Sequence, residues 1–144
     1  MTNRCTFCRI IAGQAEASFV YRDEFVTAFM DIQPINPGHL LVVPNRHASS
    51  LSEVEDHVCG HMFIVGRMLA LALRQSELRC DGVNLFLSDG SAAGQDVFHS
   101  HLHVVPRFEG DGFGFHFPPG YNKGASRADL DAVASKVRVV LGEY

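Results

Sequence analysis

The stretch His99-Ser100-His101-Leu102-His103-Val104-Val105-Pro106-Arg107 carries an imidazole at three alternate positions. Successive side chains of an extended strand point to opposite faces, so the three histidines share one face while Ser100, Leu102 and Val104 take the other. A lone strand histidine is usually half-buried with one satisfied hydrogen bond. Three in register are costly if charged and are seldom kept for packing alone. Two chemistries suit such a row: ligation of a metal ion by neighbouring ring nitrogens, and nucleophilic or acid–base catalysis at a phosphorus or acyl centre.

A strand needs partners, and the chain supplies them on both sides. Gly82 to Asp89 reads as a strand with Val83, Leu85 and Leu87 on one face, joined to the histidine strand by the small-residue loop Gly90-Ser91-Ala92-Ala93-Gly94-Gln95. Upstream, Ser18 to Arg22 and Phe25 to Ile32 are strand-like around an Asp23-Glu24 turn. His39 to Val43 is a continuous apolar run of the kind buried on both faces, closed by Pro44. The intervening Gln33-Pro34-Ile35-Asn36-Pro37-Gly38 is irregular, because two prolines and a glycine break any ladder.

Helices complete the pattern. Cys5 to Ile11 reads as one short helix with Phe7, Ile10 and Ile11 on its apolar side and Gly13 ending it. Ser52-Glu53-Val54-Glu55 matches a capping box, and Val54, Val58, Met62, Val65, Leu69 and Ala72 extend a stripe to about Gln75. Ser126 caps a terminal helix whose Leu130, Val133, Val137 and Leu141 form a docking stripe. The expected fold is therefore α+β: an antiparallel sheet of about five strands, one long helix, and short helices at each end. A single domain is expected over 1–144, with a core at 1–107, a Gly/Pro/Phe-rich loop at 108–125 and a helix at 126–144.

Composition narrows the function classes. With 47% hydrophobic and 19% charged residues the chain is of ordinary globular make-up, not disordered. A net charge of −4 with scattered Lys and Arg offers nucleic acid no footprint. No apolar run is read as a membrane span and no leader is seen, so the expectation is a cytoplasmic protein with reduced thiols. Cys59 and Cys80 read as buried small hydrophobes, and His57 and His61 as solvated or interfacial residues. Gly110-x-Gly112 is a weak dinucleotide-loop signal without the helix such a loop needs.

Cys5-x-x-Cys8 spaces two thiolates so that both reach one tetrahedral ion, yet it is half a zinc site. A pair of unligated thiols and a redox dithiol are the alternatives. With no second such pair in the chain, imidazoles are the candidate remaining ligands, His47 and the first histidine of the strand among them.

These residues together resemble the histidine-triad (HIT) family of nucleotide hydrolases and transferases. The resemblance is carried by His99-x-His101-x-His103 after Gly94-Gln95 and before Pro106-Arg107. It extends through Cys5-Thr6-Phe7-Cys8-Arg9-Ile10-Ile11, Phe29-Met30-Asp31-Ile32 and Gly38-His39-Leu40-Leu41-Val42-Val43-Pro44. It covers about the first 107 residues, and the Gly112-Phe113-Gly114 loop and terminal helix look like those of bacterial members.

The resemblance implies His101 as the nucleophile on the α-phosphorus, giving a covalent nucleotidyl-imidazole that water hydrolyses. It implies His103 as the residue that bonds the phosphate and helps the leaving group, with His39 completing the cluster. It also implies Gly94, Gln95 and Asp96 as the phosphate loop, Asp31 on the ribose hydroxyls, and Phe7, Ile10, Phe29, Met30 and Ile32 around the base of an AMP-like purine nucleotide. Structural zinc on Cys5, Cys8, His47 and His99, and a homodimer paired through the long helix and a sheet edge, are implied as well.

Ser88 stands where asparagine is common, and Asp96 where a serine or threonine would donate to phosphate. A carboxylate there accepts only and repels the substrate. The expected activity is cleavage of nucleoside 5′-phosphoramidates or related adenylates. The rivals are dinucleoside polyphosphate hydrolysis of the Fhit type, a nucleotide-binding module with weak catalysis, and a hydrolase with all three histidines on one ion.

Overall fold

The computed structural model describes residues 4–142. They divide into two compact units, one reaching Phe113 and the other beginning at Gly114. In the first, helix α1 (Thr6–Ile11) precedes strands β1 (Phe19–Arg22), β2 (Val26–Met30) and β3 (Leu40–Pro44), then helix α2 (Asp56–Gln75), β4 (Gly82–Leu87) and β5 (Leu102–Arg107). The five strands form one sheet in the order β1-β2-β3-β5-β4, every neighbouring pair antiparallel.

Side-chain alternation assigns the two faces. Leu40 and Val42 of β3, Leu102 and Val104 of β5, and Leu85 of β4 pack with Met62, Val65, Leu69 and Leu73 of α2. Leu41 and Val43 point the other way, onto Phe7 and Ile10 of α1 and Phe29 of β2. All of β3 is buried, as its unbroken apolar run requires. The opposite side chains of β4 and β5, Phe86 and His103, pair directly across the strands. One face of the sheet thus carries a helix-covered core; the other carries α1 and the imidazoles.

Several expectations are corrected. The Ser52-x-x-Glu55 box does not form: Leu51–Glu53 is a 3₁₀ turn, Val54 is extended, and α2 starts behind Glu55 with no side-chain cap. Glu53 instead accepts from the Ser49 N–H at 2.7 Å. Segment 56–75 is, by length and composition, long and apolar enough to cross a membrane, contrary to the sequence reading, but its apolar stripe faces the sheet as a core helix's does. Cys59 and Cys80 are half-buried at the core margin, not fully inside.

His61 is not a solvated surface residue. Its Nε2 lies 2.6 Å from Asp23 Oδ2, which also accepts from the Tyr21 hydroxyl at 2.8 Å. Burial alone would raise the Asp23 carboxyl. The bonds from His61, Tyr21 and the Val26 and Phe25 N–H groups outweigh that and hold it well below the carboxylate range. The β1–β2 turn is thereby fastened to α2.

The second unit contains α3 (Arg127–Leu141), capped as expected by Ser126, whose hydroxyl accepts from the Asp129 N–H at 3.1 Å. Leu130, Val133, Val137 and Leu141 are all exposed, and no residue of α3 is buried.

Candidate functional site

Regular strand begins only at Leu102, so His103 alone of the three histidines lies on β5. His99 and His101 occupy the extended lead-in, because the Ser100 N–H bonds the Ala48 carbonyl at 2.7 Å and not a β ladder. Alternation survives this departure, and the rings stay on the α1 side. Phe7 presents its ring edge-on to both His99 and His101, with centroids 5.8 and 5.3 Å apart.

The first turn of α1 brings Cys5 and Cys8 to His99 and His47. Cys8 Sγ lies 3.3 Å from His47 Nδ1 and 3.5 Å from His99 Nδ1, Cys5 Sγ is 3.5 Å from His99 Nδ1, and the two Nδ1 atoms are 3.3 Å apart. A tetrahedral zinc with ordinary Zn–S and Zn–N bonds would have S···N edges of about 3.5 Å and an N···N edge of about 3.3 Å. The donor set fits the ion.

Tautomers agree with this arrangement. His99 Nε2–H donates to the Pro44 carbonyl at 2.8 Å, leaving the Nδ1 lone pair aimed at the thiols. Burial, ahead of its charged-state repulsion from His47 and His101, pulls the His99 pKa down to about 4, so the ring is neutral. Burial, followed by its contact with Cys5, pushes the Cys8 thiol up to about 11, a cost that a cation between the sulfurs would reverse.

The other imidazoles line a cleft of about 1210 Å³. This is somewhat above the usual size of small-molecule sites, about 300–1,000 Å³. His101, nearly inaccessible at 3%, donates from Nδ1 to the His99 carbonyl at 2.7 Å, which leaves its Nε2 as a lone pair. His39 Nδ1 accepts the Ile35 N–H at 3.0 Å, so its proton sits on Nε2 and is given to His103 Nδ1 at 2.9 Å. His103 therefore carries its own proton on Nε2.

Burial lowers both members of this pair, His103 to about 4, with His101 and His39 adding to the effect on His103. The cluster Asp31, His39 and His103 has a ligand-like composition. Its 2.9 Å N···N separation is shorter than the roughly 3.3 Å edge two ligands of one tetrahedral ion would show and is that of a hydrogen bond, with Asp31 Oδ2 3.5 Å from the same His39 Nε2.

Of the residues expected around a nucleotide, Phe7, Ile10, Phe29, Met30, Asp31, Ile32, Asp96, His101 and His103 line the cleft, as does His39. Ile32 does so from an almost fully exposed position. Ser88, Gly94 and Gln95 do not line it. The buried Gln95 side chain is committed to the Gly90 N–H and to the Ser49 and Val97 carbonyls, so it staples the loop.

Two further contributors come from outside the sequence motifs. Phe86 stacks on the His103 ring at 4.5 Å and 15°, and the Gly13–Phe19 connection forms one wall of the cleft. The alternation of β4 could have revealed Phe86, since it faces opposite Leu85; only the strand order shows that it meets His103.

A family model described as the HIT domain matches residues 12–110. A HIT-like protein of Methanocaldococcus jannaschii is 41% identical over 135 residues, covering 93% of this chain and 98% of its own length. Among solved structures, a Zn-bound histidine triad family protein from Mycobacterium smegmatis superposes with a TM-score of 0.76 at 38% identity, covering 94% of this chain and 99% of that one. A histidine triad nucleotide-binding protein from Candida albicans gives 0.83 at 27% identity, covering 95% and 96%.

Proposed function

Because this chain belongs to the HIT family, we propose that it is a phosphoryl-transfer hydrolase cleaving nucleoside 5′-phosphoramidates or related adenylates at the α-phosphate. The carrying observation is the opposite proton placement on two adjacent rings of one cleft: a lone pair at His101 Nε2 and an N–H at His103 Nε2.

His101 Nε2 attacks phosphorus, the P–N bond breaks, and the amine leaves with a proton drawn from solvent. Water then attacks the nucleotidyl-histidine, the P–Nε2 bond breaks, and a proton returns to solvent. Two displacements retain configuration at phosphorus. His103 donates to a phosphoryl oxygen in both steps, where a fixed donor stabilises developing charge. Asp31 takes the ribose hydroxyls, and Phe7, Ile10, Phe29 and Met30 wall the base.

Zinc held by Cys5, Cys8, His47 and His99 would supply rigidity, its four positions all filled by protein. A second copy of the chain fits the exposed Phe63, Ile64, Met68 and Leu71 of α2 together with the free edge of β4.

The cleft's charge favours this reading over polyphosphate hydrolysis. Glu16, Asp31 and Asp96 line it, and among the described residues no Lys or Arg does. A substrate with one phosphate suits such walls better than one with several. Adenosine 5′-phosphoramidate is expected to exceed diadenosine tetraphosphate in kcat/KM by about tenfold or more. The reverse order, measured side by side, would move the assignment to the Fhit-like rival, and calorimetric nucleotide binding with no turnover of either would leave a binding module.

Asp96→Ser is a separate test. The wild-type carboxylate accepts from the Val97 N–H at 2.9 Å and offers phosphate no donor. Serine is expected to raise kcat or lower KM by roughly threefold to tenfold, the value of one added hydrogen bond. Unchanged constants would remove Asp96 from the phosphate site.

A further inference from the structure

His103 presents an N–H to the cleft only because His39 presents one to His103, and the His39 proton is kept off Nδ1 by one backbone group, the Ile35 N–H, with Asp31 Oδ2 3.5 Å from Nε2 on the other side. Residues 33–38 have no strand ladder of their own, so something must hold Ile35 in place. That role falls to Asn36, which is 5% exposed. Its amide donates both protons, to the Pro106 carbonyl at 3.0 Å and to Asp111 Oδ2 at 2.8 Å, while its backbone carbonyl accepts the His39 N–H at 3.0 Å.

Asp111 is itself fully committed. Arg107 grips it through Nε at 2.6 Å and Nη2 at 2.9 Å, and the Phe108 and Phe113 N–H groups donate to it at 3.3 and 3.1 Å. Arg107, first among these partners, holds the Asp111 carboxyl well below its ordinary range, so it stays an acceptor. The loop's other flank is pinned by Gly38, at φ +100°, where a Cβ would come within 2.9 Å of Leu78 and 3.2 Å of Pro106.

We propose that Asn36, locked by Asp111 and the Pro106 carbonyl, is a positioning residue that sets the tautomers of His39 and His103. If Ile35 drifts from His39 Nδ1, His39 is free to carry its proton there and to accept at Nε2. His103 then donates from Nδ1 to His39 and turns a bare Nε2 lone pair toward the cleft. An acceptor would face the phosphoryl oxygens where a donor is needed. The structural part of this inference stands by itself, and its kinetic consequence rests on the phosphoryl-transfer reading.

The test is ¹⁵N NMR of the full chain labelled at histidine. Wild type should show His39 and His103 protonated at Nε2 and His101 at Nδ1. Asn36→Asp is isosteric but loses both donors and sets a carboxylate against Asp111. It should move the His39 and His103 protons wholly or partly to Nδ1 while leaving His101 unchanged. With adenosine 5′-phosphoramidate, kcat should fall about a hundredfold to a thousandfold where the shift is complete, the worth of one positioned donor, while KM stays within about twofold.

Adding Asp111→Asn to Asn36→Asp restores one donor–acceptor pair and should recover part of both signals. Should Asn36→Asp not fold, Asn36→Ser, which keeps one donor, is read the same way. Tautomers unmoved in the folded variant overturn the proposal. Tautomers that move in a protein whose wild type turns over no nucleotide ester uphold it and overturn the phosphoryl-transfer reading.

Discussion

His101→Ala is expected to abolish covalent labelling of the protein by a nucleotide carrying ³²P at the α position, and to lower kcat/KM for adenosine 5′-phosphoramidate by at least about a thousandfold. The size follows from the geometry. His101 Nε2 is the lone pair aimed into the cleft, its direction set by the 2.7 Å bond from Nδ1 to the His99 carbonyl. The two neighbouring imidazoles have their Nε2 atoms protonated and their Nδ1 atoms occupied, so neither can substitute. His103→Ala should retain labelling while slowing turnover. Equal labelling of wild type and His101→Ala, after acid quench and gel separation, would withdraw the nucleophile from residue 101.

Cys8→Ser is expected to give the largest loss of stability, on the order of 3–5 kcal/mol, because metal-binding free energy is folding free energy for a site that does not exist in the unfolded chain. For a chain of this length that corresponds to a fall in Tm of roughly 10–15 °C. Metal analysis of the purified protein should find one zinc per chain, and a strong chelator should lower the wild-type Tm toward that of the variant. Activity should suffer as well, since the carbonyl that aims His101 belongs to His99, a ligand in the proposed site. A metal-free wild type whose Tm ignores chelator would leave the thiols and imidazoles as a hydrogen-bonded cluster that, with Phe7 packing, ties α1 to the histidine segment.

Much of this site is legible in the sequence. The alternation of His99, His101 and His103 put three rings on one face even where regular strand fails. The Cys5-x-x-Cys8 spacing placed two sulfurs across the first turn of a helix. Both are local geometries that a few consecutive residues impose by themselves. Ser52-x-x-Glu55 has the spacing of a capping box but is not one, because the buried Val54 is extended and ends the 3₁₀ turn before α2 begins. The resemblance implied the Gly94–Asp96 backbone as a phosphate loop, and only the structure shows that the Gln95 side chain closes that loop from within.

By itself, then, the sequence determined the α+β class, the order of elements and the face shared by the imidazoles, since periodicity and short spacings depend only on backbone geometry. His101 takes its tautomer from the His99 carbonyl two residues away, but the proton on His103 was decided by tertiary structure. His39 meets His103, and Asn36 meets Asp111, across separations of 64 and 75 residues. A tautomer is set by whichever donor or acceptor lies about 3 Å away, and that partner is chosen by strand order and loop packing, which no local pattern encodes.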